Sequence, residues 1–303
     1  MLRRSIDAYL ALRRAVGFRL KTEESLLHDF ARWASDHGET HVRAQTATEW
    51  AAVARSTWQR ERRLRAVAGF ARHARAEDPL HDVPPLFVFG RRHVRPRPHI
   101  YSPDELRRLL DAASRLPAIW TLRPQVFTTL FGLLASTDLR ISEALALRFG
   151  DVTSDGLVIR KTKFNKTRLV PLHDTAASAL ARYLDLRRRR STVTDYVFVS
   201  PKGDRLALST VHKWFLRLKR ETGLRSALGT PEPRIHDLRH TFAVRALEAC
   251  PQDGSVGWRA RALSTYLGHG NPADTCWYLQ ATPVLLRGVA DACEQFLEKG
   301  GSR

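Results

Sequence analysis

Cysteine is scarce in this 303-residue chain, and the three present, Cys250, Cys276 and Cys293, form no C-x-x-C pair. An odd number without metal-ligand spacing argues against a disulfide framework and points to a reducing compartment. Long apolar runs are also missing. The longest, around Phe127 to Ala135, is broken by Thr128 and Thr129 and falls short of the roughly 20 residues that span a bilayer. The N-terminus reaches Asp7 before any long apolar stretch, so no secretory signal is expected and the chain is placed in the cytosol, away from membranes. A G-x-x-x-x-G-K-[ST] loop is absent, which removes a P-loop nucleotide site. Acidic residues are outnumbered, 31 Asp and Glu against 50 Lys and Arg.

That imbalance leaves a net charge of +19, carried mostly by arginine, whose planar fork suits phosphate better than an ammonium does. A large polyanion is the expected partner, and an excess of this size spread over both halves of the chain points to nucleic acid. With 43% hydrophobic residues the chain has enough apolar mass for a sizeable core, divided between two domains.

Residues 1–78 read as a helical domain. Leu2, Ile6, Tyr9 and Leu10 share one helical face, Leu26, Leu27, Phe30 and Trp33 a second, and Thr46-Ala47-Thr48-Glu49 offers a cap for a third. A fourth helix from about Ser56 to Ala76 sets Leu64, Val67, Ala68 and Phe70 on one side against Arg60, Arg62, Arg63 and Arg65 on the other. Those arginines are either a solvated face or a DNA-backbone contact. Residues 79–100 lose the period at Pro79, Pro84, Pro85, Pro96 and Pro98 and read as an extended basic linker.

Residues 101–303 carry the chemistry-bearing motifs. Ser102-Pro103-Asp104-Glu105 is a helix start, with a Ser cap, a Pro in the first turn and a Glu at the third position. A helix over Phe127–Ser136 leads to Thr137-Asp138-Leu139-Arg140-Ile141-Ser142-Glu143, where Arg140 and Glu143 are spaced to share a face, as a surface ion pair or as an arginine oriented toward phosphate. Leu157–Arg160 and Arg168–Leu172 alternate like a β-hairpin, with Lys163 and Lys166 in or beside its turn. Tyr196–Val199 reads as a third short strand, Thr175–Arg190 as a helix, and Ser209 as the cap of another. The segment Arg234-Ile235-His236-Asp237-Leu238-Arg239-His240 opens a helix with His236 and Arg239 three apart, and His269 follows Gly268 nine residues before Tyr278. His236 and His240 have the spacing of a metal pair, but H-D-L-R-H lacks the glutamate of H-E-x-x-H and a third ligand, so neither metal nor cofactor is expected.

Arg140 within T-x-L-R-I-S-E, the lysine hairpin, H-x-x-R-H-T-F, the L-G-H turn and the trailing Tyr278 together resemble the tyrosine recombinase, or phage integrase, family of DNA strand-exchange enzymes. The likeness runs through the last two-thirds of the chain in the family's order, and the N-terminal helices resemble its core-binding domain. Trp277-Tyr278-Leu279 followed by Ala281-Thr282-Pro283 is similar to members encoded on transposons. The resemblance implies a mainly α fold with a small antiparallel β-sheet (α+β), arranged as a two-domain DNA clamp. It implies Tyr278 as nucleophile, Arg140 and Arg239 on the non-bridging phosphate oxygens, Lys163 as general acid with Lys166 and then Lys161 as alternatives, His236 as acceptor of the phenolic proton, His269 on the phosphate, and Glu143 in support of Arg140. Asp138 departs from the family, which often has glycine there, and Cys250–Trp258 is a longer loop than common.

The resemblance further implies a homotetramer on paired DNA sites, with residues 283–297 docking on a neighbouring protomer, and leaves room for a second recombinase from the same element. Two other readings stay open at this point, a type IB topoisomerase-like nicking-closing enzyme and a catalytically silent DNA-binding accessory factor.

Overall fold

The computed structural model describes residues 2–90, 98–118, 122–160, 167–190, 194–225, 232–249, 262 and 264–266. The chain divides into two units, Met1–Arg95 and Pro96–Arg303.

In the first unit four helices form, α1 (Leu2–Ala15), α2 (Lys21–Asp36), α3 (Ala44–Ala52) and α4 (Thr57–Glu77). Each has an apolar stripe at helical spacing, and these stripes meet in one core of Ile6, Leu10, Phe30, Trp50, Leu64, Val67 and Phe70. The Trp50 indole N–H, buried with its ring, donates to Asp29 at 3.1 Å, so the burial strands no donor. Ser56 caps α4 by accepting from the Gln59 N–H at 3.3 Å. The third helix starts earlier than its threonines imply: Arg43 is its N-cap, and Thr46 is buried inside it, donating to Glu39 at 2.5 Å.

The stretch read as an extended linker is partly folded. Residues 79–90 return along α4, where the buried fork of Glu61 accepts the Phe87 and Phe89 backbone N–H groups, each at 3.0 Å. His81 and Pro84 are buried as well. Proline breaks the period, which is why the sequence reads as unstructured, but a helix carboxylate satisfies the exposed amides and the segment packs without one.

The arginines of α4 divide similarly. Arg60 donates to the Ala54 carbonyl at 2.8 Å and Arg63 to the Trp50 carbonyl at 3.0 Å, closing the end of α3. Arg62 and Arg65 stay exposed, with Arg62 5.2 Å over the ring of the half-exposed Trp58.

The second unit is built around α6 (Arg123–Ser136), which packs against α5 (Pro103–Ser114), α8 (Asp174–Arg188) and α10 (Ile235–Glu248). Its core takes Phe127, Leu130, Phe131 and Leu134 from α6, Tyr183 and Leu184 from α8, Phe215 and Leu218 from α9 (Leu208–Glu221), and Leu238 from α10. The capping box read at Ser102 forms in full: Ser102 accepts from the Glu105 N–H at 3.1 Å, and Glu105 accepts from the Ser102 N–H at 2.7 Å. Helix α9 begins one residue before Ser209, after Ala207.

Among the described residues the sheet has three antiparallel strands in the order β1 (Val152–Thr153), β2 (Gly156–Ile159) and β3 (Arg168–Val170). The hairpin expected from alternation is β2–β3, with Leu157 opposite Val170 and Ile159 opposite Arg168. The third strand is β1, not Tyr196–Val199. Those residues make isolated bridges, and their backbone is satisfied by loops: the Val197 N–H donates to Leu147 at 2.9 Å and its carbonyl accepts from the Tyr183 hydroxyl at 2.8 Å. Alternating apolar residues mark a chain with one buried face, and a loop wedged into a core satisfies that as well as a strand does. Gly156 is required where it stands, because its φ is +131° and a Cβ there would lie 2.3 Å from the Val170 carbonyl oxygen.

Candidate active site

Arg140 is placed by the end of α6. The Thr137 hydroxyl donates to the Leu133 carbonyl at 2.6 Å and accepts from the Leu139 N–H at 3.4 Å, turning the chain out of the helix at a fully buried residue. Leu139 is buried next to it, and Arg140 becomes the N-cap of a single helical turn, α7 (Ile141–Ala144). Glu143 closes that turn by accepting the Arg140 backbone N–H at 3.0 Å, and its second oxygen accepts from the Arg140 guanidinium at 2.8 Å. One carboxylate thus fixes both the backbone and the side chain of Arg140, which keeps 31% of its side-chain exposure.

His236 and Arg239 are placed by the first turn of α10. Asp237, buried, caps it by accepting the Arg234 N–H at 2.8 Å and pairs with the Arg234 guanidinium at 2.9 Å. Tyr101, at the entry to α5, donates its hydroxyl to the Arg234 carbonyl at 3.1 Å and its backbone N–H to the Thr241 hydroxyl at 2.9 Å. Burial pushes the Tyr101 phenol far above the ordinary range, so it remains a neutral donor. From this fixed turn His236 points outward, exposed, its ring 4.5 Å from that of buried His240. Arg239 points inward, with 4% side-chain exposure.

The two arginine motifs meet at Asp138. The Arg239 guanidinium donates to the Asp138 backbone carbonyl, and its second terminal nitrogen lies 3.4 Å from the Asp138 carboxylate. Arg168, the first residue of β3, pairs with the same carboxylate at 3.3 Å and with Glu143 at 3.0 Å. Arg140, Glu143, Arg168, Asp138 and Arg239 therefore form one chain of contacts in which three guanidiniums meet two carboxylates among the described residues. A partly buried group of arginines in which Arg140 keeps access to solvent is chemically suited to a phosphate or to a phosphorane-like transition state. Lys163, His269 and Tyr278, with the alternatives Lys161 and Lys166, lie outside the described residues, as do the loop 250–258 and residues 283–297. A cleft between α6 and α9, lined by Phe127, Trp214 and Arg187, contains none of the arginine cluster. A polymer backbone needs an open surface, so the cluster and not the cleft is the candidate site.

Residues 100–283 match the family described as Phage integrase family. The chain belongs to the phage integrase family, the tyrosine-type site-specific recombinases. It is 38% identical over 298 residues, 94% of each chain, to a protein of Sinorhizobium fredii (strain NBRC 101917 / NGR234) that bears the name integrase/recombinase y4rB. Among solved structures it resembles the Tn1549 transposon integrase in complex with transposon right end DNA, with a TM-score of 0.68, 18% identity and coverage of 96% and 98% of the two chains. A lambda integrase tetramer bound to a Holliday junction gives a TM-score of 0.66 at 16% identity, over 92% of this chain and 77% of that one. These two structural likenesses bear on the fold, which is the mainly helical one with a small antiparallel sheet.

Within this integrase-family chain the sequence reading passed over Arg168, Tyr101 and the part played by Asp138. Asp138 was legible as a departure from glycine, but its partners are 30 and 101 residues away. Tyr266, three residues before His269, was also passed over: its hydroxyl donates to the Pro171 carbonyl at 3.3 Å and its ring lies tilted, 5.6 Å from that of Phe242. Burial, then the negative field of Asp138, pushes its phenol up to about 12. In the first unit His41, Asp78 and His81 bring three potential metal-ligand atoms within 4.8 Å of one another. The Val42 N–H donates to Nδ1 of His81 at 3.0 Å, which puts that ring's own proton on Nε2, so in this tautomer His81 offers a donor and not a lone pair.

The carboxylates differ in their electrostatics. Burial pushes the Asp138 carboxyl above its ordinary value against the pull of Arg239 and Arg168. Burial also raises Glu143, but hydrogen bonds from Arg168 and from the Arg140 N–H outweigh it and hold the carboxyl below its ordinary 4.5. A depressed carboxyl stabilises the fold above its unfolded value and loses that contribution as the pH falls through the folded one. Glu143→Gln is therefore expected to lower stability at pH 7 by about 3 kcal/mol, the scale for removing one partner of a buried pair. Denaturant titrations of both proteins should show the difference shrinking once the pH falls below 4.5; a difference that does not change with pH would contradict the assignment.

Proposed function

We propose that the chain cuts and rejoins DNA in the following way. His236 accepts the phenolic proton of Tyr278, whose oxygen attacks a scissile phosphorus. The bond to the 5′-oxygen breaks as the 3′-phosphotyrosyl ester forms, and Lys163 protonates the departing oxygen to leave a free 5′-hydroxyl. Arg140 and Arg239 hold the non-bridging oxygens, where negative charge builds up in the transition state, and His269 adds a further hydrogen bond. Glu143 keeps Arg140 in place. The ester conserves the bond energy, so rejoining to a second 5′-hydroxyl requires neither nucleotide nor metal.

The observation that carries this reading is the contact between Arg239 and Asp138, which brings motifs 101 residues apart into one cluster two residues from Arg140. The substrate is double-stranded DNA, held by phosphate contacts from both units. The first unit is a core-binding domain that uses Arg62, Arg65 and the exposed Trp58 at the start of α4. The active form is a homotetramer on paired sites, working with or without a second recombinase from the same element. The chain is transposon-encoded and cytoplasmic. Among the described residues no helix is long and apolar enough to cross a membrane.

The test is incubation with a suicide DNA substrate drawn from the sequence flanking the gene. A protein–DNA adduct that resists denaturant and forms equally well in EDTA is the expected result. Complete inhibition by EDTA would refute the mechanism, and relaxation of supercoiled DNA without site preference would favour a nicking-closing enzyme.

A further inference from the structure

We propose that Arg168 is a positioning residue for DNA cleavage, acting through Glu143 and Asp138 on both arginines that hold the phosphate; this rests on the roles given above to Arg140 and Arg239. One guanidinium reaches three carboxylate oxygens. Its Nη1 donates to Oε1 of Glu143 at 3.2 Å, and its Nη2 donates to Oε2 of Glu143 at 3.0 Å and to Oδ1 of Asp138 at 3.3 Å. Each of those carboxylates has its other contact on a phosphate-holding arginine: Glu143 on Arg140 at 2.8 Å, and Asp138 on Arg239 at 3.4 Å. Arg168 is thus the one side chain among the described residues that bridges the two halves of the cluster.

The geometry demands a guanidinium. A bidentate fork fixes the plane of the Glu143 carboxylate, and with it the direction in which Arg140 points. A lysine at the same place would present a single nitrogen, enough for one carboxylate but not for two that belong to different elements. Arg168 accepts a cost for this arrangement, since its Nε is buried without a hydrogen-bond partner. Its two terminal nitrogens make three bonds to two carboxylates, the arrangement of a guanidinium that orients other groups. Burial works against its charge, and the bonds to Glu143 and Asp138 more than restore it, raising its pKa above the ordinary value.

Its place in the chain adds a second consequence. Arg168 opens β3 and so anchors the second strand of the β2–β3 hairpin, and Lys163 lies between the two strands in the sequence. The same side chain that orients the oxygen-holding arginines also fixes where the returning strand of that hairpin begins. Asp138, standing where glycine is common in the resembling family, is the partner that makes the bridge possible.

The experiment compares the full-length wild-type chain with Arg168→Met and Arg168→Lys. Three readouts are taken on each: the thermal midpoint, the Kd for the DNA site, and the single-turnover rate of adduct formation on a suicide substrate at saturating protein, well below each variant's own midpoint. A positioning role predicts a Kd within about threefold of wild type and a cleavage rate lower by about 100-fold in Arg168→Met and by about 10-fold in Arg168→Lys. An Arg168→Met variant that is folded and cleaves within about threefold of wild type overturns the proposal. If Arg168→Met does not fold, Arg168→Lys decides alone: a rate lowered at unchanged Kd supports the proposal, and a wild-type rate overturns it. A wild-type chain that forms no adduct refutes the recombinase mechanism itself, whereas a normal wild-type adduct with an unaffected Arg168 variant refutes the positioning role only.

Discussion

Tyr278→Phe leaves binding to the DNA site unchanged and removes the denaturant-resistant adduct, with a cleavage rate lowered by on the order of 10⁶-fold, the scale seen when a covalent nucleophile is deleted from a site that otherwise stays assembled. The change removes one oxygen and keeps the ring, so a loss of adduct cannot be ascribed to lost packing. A neighbouring tyrosine is the natural objection. Tyr266 is described, and its phenol is held against Pro171 with a pKa pushed up to about 12, which makes it a poor source of phenolate near neutral pH. Mass spectrometry of the wild-type adduct should therefore place the DNA on the peptide containing Tyr278. Adduct on Tyr266, or undiminished adduct in Tyr278→Phe, would remove the foundation of the mechanism.

The second large effect concerns the two arginines, and the structure separates them. Arg239→Ala is expected to lower cleavage by about 10² to 10³-fold, corresponding to roughly 2.7 to 4 kcal/mol for one lost donor to a developing oxyanion. It should also destabilise the fold by about 3 kcal/mol, because the guanidinium is 4% exposed and its loss leaves the fully buried Asp138 carboxylate to Arg168 alone. Arg140→Ala should lower cleavage over the same range with a much smaller loss of stability, since Arg140 is 31% exposed and Glu143 retains its pair with Arg168. Chemical denaturation alongside single-turnover cleavage makes the comparison. Equal stability losses in the two variants would show that the cluster is not divided into a buried and an exposed arginine.

Arg239→Lys extends this argument. The arginine makes two contacts at Asp138, one with the backbone carbonyl and one with the carboxylate, and in the proposed mechanism it also meets substrate. An ammonium preserves the charge and loses the fork, so the lysine variant should recover stability more than activity.

Much of the fold was legible before any coordinates. The apolar stripes of α1, α2 and α4, the Ser102-Pro103-Glu105 helix start and the β2–β3 alternation are local signals, each set by contacts within a few residues along the chain. Such signals failed where the backbone found a distant partner. Residues 79–90 read as open linker because the carboxylate that orders them, Glu61, belongs to a helix 26 and 28 residues earlier. Tyr196–Val199 read as a strand because Val197 and Phe198 are buried, while its hydrogen bonds go to loops and to Tyr183.

The functional residues divide in the same manner. The candidate catalytic residues were legible in the sequence through the resemblance of their motifs to the tyrosine recombinases, and they are side chains of the kinds that can attack a phosphodiester, stabilise its charge and move its protons. Arg140 with Glu143, and His236 with Arg239, needed no coordinates, being one helical turn apart. That Asp138 joins the two arginine motifs, and that Arg168 ties both carboxylates together, was decided only by the tertiary structure. Buried ion pairs depend on which elements pack side by side, and an arginine opening a strand looks the same in sequence whether it faces water or closes a cluster.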